Sequence, residues 1–102
     1  MEFVAYFFEG AFLCNCVPHL VCGLQGFEFP TPFAKPHGVG LSSPVVNFAW
    51  GFFNLVLAFL LFWKWPIQIG VNSPFAVFLV GVALLGAFAS LHFGKVRRNR
   101  PN

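Results

Sequence analysis

Two runs of twenty residues without a charge decide what this chain can become. Residues 44–63 read PVVNFAWGFFNLVLAFLLFW and residues 74–93 read PFAVFLVGVALLGAFASLHF. At about 1.5 Å per helical residue, each run covers roughly 30 Å, the thickness of a bilayer's hydrocarbon core. Each is preceded by the same pair, Ser43-Pro44 and Ser73-Pro74. A serine at the N-cap accepts a bond from an otherwise orphaned amide, and a proline at the first helical position has no amide to orphan. Both runs are therefore predicted as membrane-spanning helices. Trp63-Lys64-Trp65-Pro66 closes the first in the pattern of an interface, with amphipathic rings at headgroup depth, an ammonium reaching water and a proline stopping the helix. The short connection to Ser73 predicts that these two spans pack against each other as an antiparallel hairpin.

Residues 3–24 pose a harder problem, because the stretch is apolar enough to span yet holds Glu9, Asn15, Pro18 and His19. A kinked transmembrane helix competes here with an interfacial amphipathic helix and a re-entrant segment. Projected at 100° per residue, Glu2, Glu9, Asn15, Cys16 and His19 share an arc on the order of 140°, while Phe3, Phe7, Cys14, Val17 and Val21 occupy the other side. Interfacial helices usually carry Lys or Arg on the polar face, and this one carries neither, so the spanning reading leads. The expected fold is thus an all-α membrane protein forming a single transmembrane unit over 1–102. Its three helices cover about 3–24, 44–63 and 74–93.

Composition agrees with lipid as the solvent. Hydrophobic residues make up 58% of the 102 and charged residues 9%, against about 25% charged in ordinary soluble domains. The connection FEFPTPFAKPHGVGLSSP cannot form a helix or a central strand with that density of proline and glycine. Its phenylalanines predict an ordered loop over 27–43, folded back on the membrane surface or on the helices. Lys95, Arg97, Arg98 and Arg100 form a basic tail over 95–102. Cations abutting a span mark the cytoplasmic side, so the tail and the loop with Lys35 and His37 are expected there and Met1 outside. No basic face or base-stacking aromatic pattern accompanies the tail, and nucleic acid is not an expected partner. The chain opens Met1-Glu2 without a basic region, so no cleavable signal peptide is expected. Leu13 before Cys14 is too bulky for a lipoprotein site.

Few groups can carry chemistry. Cys14, Cys16, His19 and Cys22 crowd nine residues, but on a helix Cys14 and Cys16 point to nearly opposite sides, so no metal site is expected. His19 and His92, on different spans, are what a bis-histidine b-type haem or a quinone site would use. Glu9 is the one acid inside a span, which makes it a candidate for a proton relay, a cation site or a partner contact. Asn47, Gly51, Asn54 and Ala58 share one face of the second span. On the third, Ala83 and Ala87, and Gly86, Ser90 and Gly94, recur at four-residue spacing. Small residues let backbones approach and amides bond across helices, so these are packing surfaces. No phosphate loop, nucleophile elbow or paired metal-binding histidines on one helix occurs, and an enzyme is not expected.

Asn15/Pro18/His19, Gly23/Gly26, Phe29 to Ala34, Gly40 to Pro44 and Asn47/Trp50/Gly51/Asn54 together make a pattern N-x-x-P-H, G-x-x-G, F-P-T-P-F-A, G-L-S-S-P, N-x-x-W-G-x-x-N over about 40 residues. That pattern resembles a family of small bacterial multi-pass membrane proteins of uncharacterised activity. The resemblance implies a bacterial origin and singles out Asn15, His19, the loop, Asn47 and Asn54. The expected location is the bacterial inner membrane, multi-pass, with the C-terminus cytoplasmic. Three expectations about function stand. The leading one is a non-catalytic subunit that packs on or stabilises a larger membrane complex, or itself, through Glu9, Asn15, Asn47, Gly51, Asn54, Gly86 and Ser90. The second is a haem- or quinone-binding anchor using His19 and His92, and the third a small homo-oligomeric transporter using Glu9.

Overall fold

The computed structural model describes residues 1–100. Three helices account for most of them: α1 over Glu2–Leu24, α2 over Pro44–Lys64 and α3 over Ser73–Arg98. All three are long and apolar enough to cross a membrane. The long dimension, 46 Å against 23 and 22 Å, matches a bilayer with its headgroups, about 40–45 Å.

Helix α1 continues unbroken through Pro18, a residue that membrane helices tolerate when neighbouring groups satisfy the freed carbonyl. It ends at Leu24 with Gln25 as its cap; Gly26 follows with a φ of +80° that suits a residue without a Cβ, and the Phe27 amide closes the turn on the Cys22 carbonyl at 2.8 Å. Ser43 caps α2, its hydroxyl accepting from the Val46 amide at 3.2 Å. The cap of α3 falls one residue earlier than its Ser-Pro pair predicts: Asn72 Oδ1 accepts from the Phe75 amide at 2.8 Å, and Ser73 is already helical. The far end of α3 also departs from expectation, since nothing between Phe93 and Arg98 breaks a helix. Residues 95–98 of the expected tail are its last turn, where cations suit the helix dipole. Residues 101 and 102 of that tail lie outside the described residues.

The packing order corrects the hairpin expectation. Helices α2 and α3 hardly touch; both pack on α1, which lies between them. Against α2, the chain runs antiparallel: Gly23 meets Pro44 and Phe48, Gly51 meets Cys16 and Leu20, and Asn15 bonds Asn54. Against α3 it runs parallel, with Gly10 on Phe78 and Val82, Gly86 near Cys14, and His19 beside Phe93. The α1–α3 crossing is backbone on backbone. A Cβ at Gly10 would overlap the Phe78 carbonyl, and one at Gly81 would overlap the Phe7 carbonyl. Because α1 and α3 are parallel, Met1 and Arg98 end at opposite ends of the bundle.

The Pro-rich connection is ordered and folded onto the helices. Phe29–Pro30 and Leu41–Ser42 form a two-residue antiparallel ribbon, β1 and β2, pairing Phe29 with Ser42 and Pro30 with Leu41. So short a ribbon has no central strand, which is why Pro30 is tolerated in it.

Candidate functional site

The buried polar side chains among the described residues are divided equally between α1, α2 and the loop that joins them. Glu9, His19, Thr31, Ser42, Asn47 and Asn54 are all buried. Asn47, near the start of α2, is the hub. Its Nδ2 donates to the carbonyls of Phe29 (2.9 Å), Ser42 (3.1 Å) and Ser43 (3.1 Å). That pattern fixes the amide: the oxygen must face His19, whose Nδ1 lies 2.8 Å from Asn47 Oδ1 and therefore donates. One side chain thus binds the loop to the top of α2 and sets the tautomer of an imidazole on α1. Beside it Thr31 and Ser42 share a hydroxyl–hydroxyl bond across the ribbon. One turn deeper, Asn15 Nδ2 donates to Asn54 Oδ1 at 3.1 Å, and Asn54 Nδ2 donates to the Trp50 carbonyl at 2.8 Å.

Helix α3 joins the same end. His92 Nε2 donates to the Gly38 carbonyl at 2.7 Å, and the Arg100 guanidinium donates to the Val39 carbonyl at 3.0 Å. His37 Nδ1, in the loop, donates to the Pro32 carbonyl at 2.6 Å. The chain's three histidines, from α1, the loop and α3, line one cavity of about 340 Å³ together with Asn15, Thr31 and Trp50.

Glu9 stands apart, next to the Gly10–Gly81 crossing. It is 0% exposed, and neither carboxyl oxygen has a hydrogen-bond partner among the described residues. Of the remaining residues singled out by sequence, Gly51 is buried where α1 passes, and a Cβ there would meet the Leu20 amide at 2.9 Å. Gly86 is half-buried, with Cys14 Sγ 3.6 Å from where a Cβ would stand. Ser90 is exposed and bonds only the Ala87 carbonyl of its own helix, at 3.1 Å. Ala83 and Ala87 are exposed as well. Gly10 and Gly81, which no four-residue spacing flags, make the tightest helix contact instead. The signal available in the sequence was a glycine flanked by bulky residues within each span, Phe7, Phe8 and Phe12 around Gly10 and Leu79, Val80 and Val82 around Gly81. Thr31 and Ser42 were invisible because only the ribbon brings them together.

The three cysteines are free, and no group of three or more His, Cys, Asp or Glu side chains is placed to hold a metal ion among the described residues. Phe93 packs on the imidazoles of both His19 and His92, at 6.4 and 5.0 Å between centroids, and Phe29 packs on Phe93 at 4.7 Å, so a protein ring stands beside both histidines in the cavity wall.

Fold and site together define a helical membrane protein of three spans, with a loop locked onto one end by an asparagine–histidine pair. No family model matches the chain, and neither a curated protein nor a solved structure is significantly similar to it.

Proposed function

We propose that this chain is a non-catalytic integral membrane subunit that packs on a larger membrane assembly, and that the occupant of its free face is a transmembrane helix of another protein. One observation carries the reading: α3 is 26 residues long yet buries only Gly81 and Val96. Beyond its crossing with α1, the helix presents Ala83, Ala87 and Ser90 in a stripe left exposed among the described residues. Small residues of this kind let a second backbone approach within the bilayer, where packing rather than the hydrophobic effect holds helices together.

Orientation follows the charge. Five of the six Lys and Arg residues (all but Lys64) stand at the end where the loop meets α3, since His92 and Arg100 bond Gly38 and Val39 there. The positive-inside rule then favours that end as cytoplasmic.

Native electrophoresis of membranes in mild detergent tests the proposal. The chain should migrate in a complex much larger than 11.3 kDa, and Ala83→Leu with Ala87→Leu should release it. Phe52→Leu, on the exposed side of α2, should not. Migration as a free monomer before any substitution would refute the reading, and a ladder of small multiples would replace the partner by a second copy.

A further inference from the structure

We propose that the histidine-lined cavity binds a phenolic ring of the hydroquinone kind, whose hydroxyls donate to imidazole nitrogens. Each of the three rings commits one nitrogen to the protein as a donor: His19 Nδ1 to Asn47 Oδ1, His37 Nδ1 to the Pro32 carbonyl and His92 Nε2 to the Gly38 carbonyl. In a neutral imidazole the other nitrogen is then an acceptor. His19 Nε2, His37 Nε2 and His92 Nδ1 have no partner among the described residues, although their rings line one cavity. His19 is 2% exposed, His92 is half-buried and His37 is exposed, and none of their nitrogens is among the buried atoms left without a partner, so the free ones are accessible. The site therefore offers acceptors to a ligand that donates.

Uncommitted imidazole nitrogens also attract metal ions, but no group of three or more His, Cys, Asp or Glu side chains is placed to hold one among the described residues. The walls favour a flat ring. Trp50 meets His19 edge-on at 6.4 Å between centroids, and Phe88 lies parallel to His92, 3° off plane, at 5.7 Å. Such faces hold aromatic ligands through offset-stacked or edge-to-face contact. The volume, about 340 Å³, falls at the lower end of the roughly 300–1,000 Å³ of small-molecule sites, enough for a single substituted ring. The cavity lies at the loop end of the bundle, between the loop and the adjoining turns of all three helices.

The test uses the purified full chain with Trp63→Phe and Trp65→Phe, which leaves Trp50 in the cavity wall as the sole tryptophan. Trimethylhydroquinone should quench its emission saturably, and the dimethyl ether of the same compound, which has no hydroxyl to donate, should bind at least ten-fold more weakly. His92→Phe, at a half-buried position, and His19→Gln should each weaken the hydroquinone by a similar factor while leaving the helical circular dichroism unchanged. Equal binding of the ether, indifference to both substitutions, or no saturable quenching would each overturn the proposal. None of these outcomes depends on the partner that α3 is proposed to meet.

Discussion

Removing the side-chain amide of Asn47 should cost more than removing any other polar group in the bundle. Asn47→Ala deletes four hydrogen bonds at once, three from Nδ2 to loop and cap carbonyls and one from His19. Polar contacts inside membrane bundles average about 0.6 kcal/mol each, while a buried group left without a partner costs about 1–3 kcal/mol. The expected loss is therefore about 2–4 kcal/mol. Asn54→Ala is the internal control. It removes one interhelical bond, from Asn15, and one bond to a carbonyl of its own helix, so about 1 kcal/mol is expected. Equilibrium unfolding in mixed micelles with rising SDS, followed by far-ultraviolet circular dichroism, measures both. Equal losses for the two variants would refute the idea that Asn47 binds loop, α1 and α2 as a unit.

The crossing of α1 and α3 makes a steeper prediction. Gly81→Val or Gly10→Val drives a side chain into a facing carbonyl, and overpacking of at least about 1–3 kcal/mol should detach α3 from α1, seen as lost disulfide crosslinking between Cys14 and an introduced Gly86→Cys. Glu9→Leu should stabilise the isolated protein by about 1–3 kcal/mol, because it removes two buried oxygens with no partner; a loss of stability in the same SDS titration would mean that the carboxyl is satisfied after all. Cysteine labelling from outside intact cells should reach a Glu2→Cys variant and not an Arg98→Cys variant, since parallel α1 and α3 place those positions at opposite ends. Labelling of both from one side would contradict the three-span arrangement.

Periodicity made some of this legible and not the rest. Uncharged length gave the spans within a few residues, because a hydrocarbon slab imposes that length on any helix crossing it. The face Asn47, Gly51, Asn54 and Ala58 could be read from its spacing, and these four are the buried residues of α2. Spacing says which residues share a face and is silent on what meets it. The connection between α2 and α3 is short, so proximity in sequence favoured a hairpin, whereas contact is decided by how closely backbones can approach. Gly10 and Gly81 allow α1 and α3 to touch, and Phe residues fill the space between α2 and α3. The same silence explains why the evenly spaced Ala83, Ala87 and Ser90 lie outside the chain's own interface. The loop's proline content excluded regular structure, but its docking on Asn47 required the ribbon to bring Phe29 and Ser42 together.

Helix α1 reconciles these observations. It is the least apolar of the three spans and the most buried, which is the expected inversion once a helix must shield polar groups from lipid: the helix that carries them has to be the one in the middle. Along α1 the degree of satisfaction falls with distance from the loop. His19 is bonded and oriented, Asn15 shares one bond with Asn54, and Glu9 has none. A bundle built only for stability would carry an apolar side chain at the Glu9 position, where both carboxyl oxygens are buried without a partner. The loop end is the opposite case: a carbonyl oxygen holds each imidazole through one nitrogen, and no histidine nitrogen is among the buried atoms left without a partner. Polar groups are satisfied or accessible at that end, and the carboxyl of Glu9 is neither, which is why the substitution expected to stabilise the bundle lies there and not beside the loop.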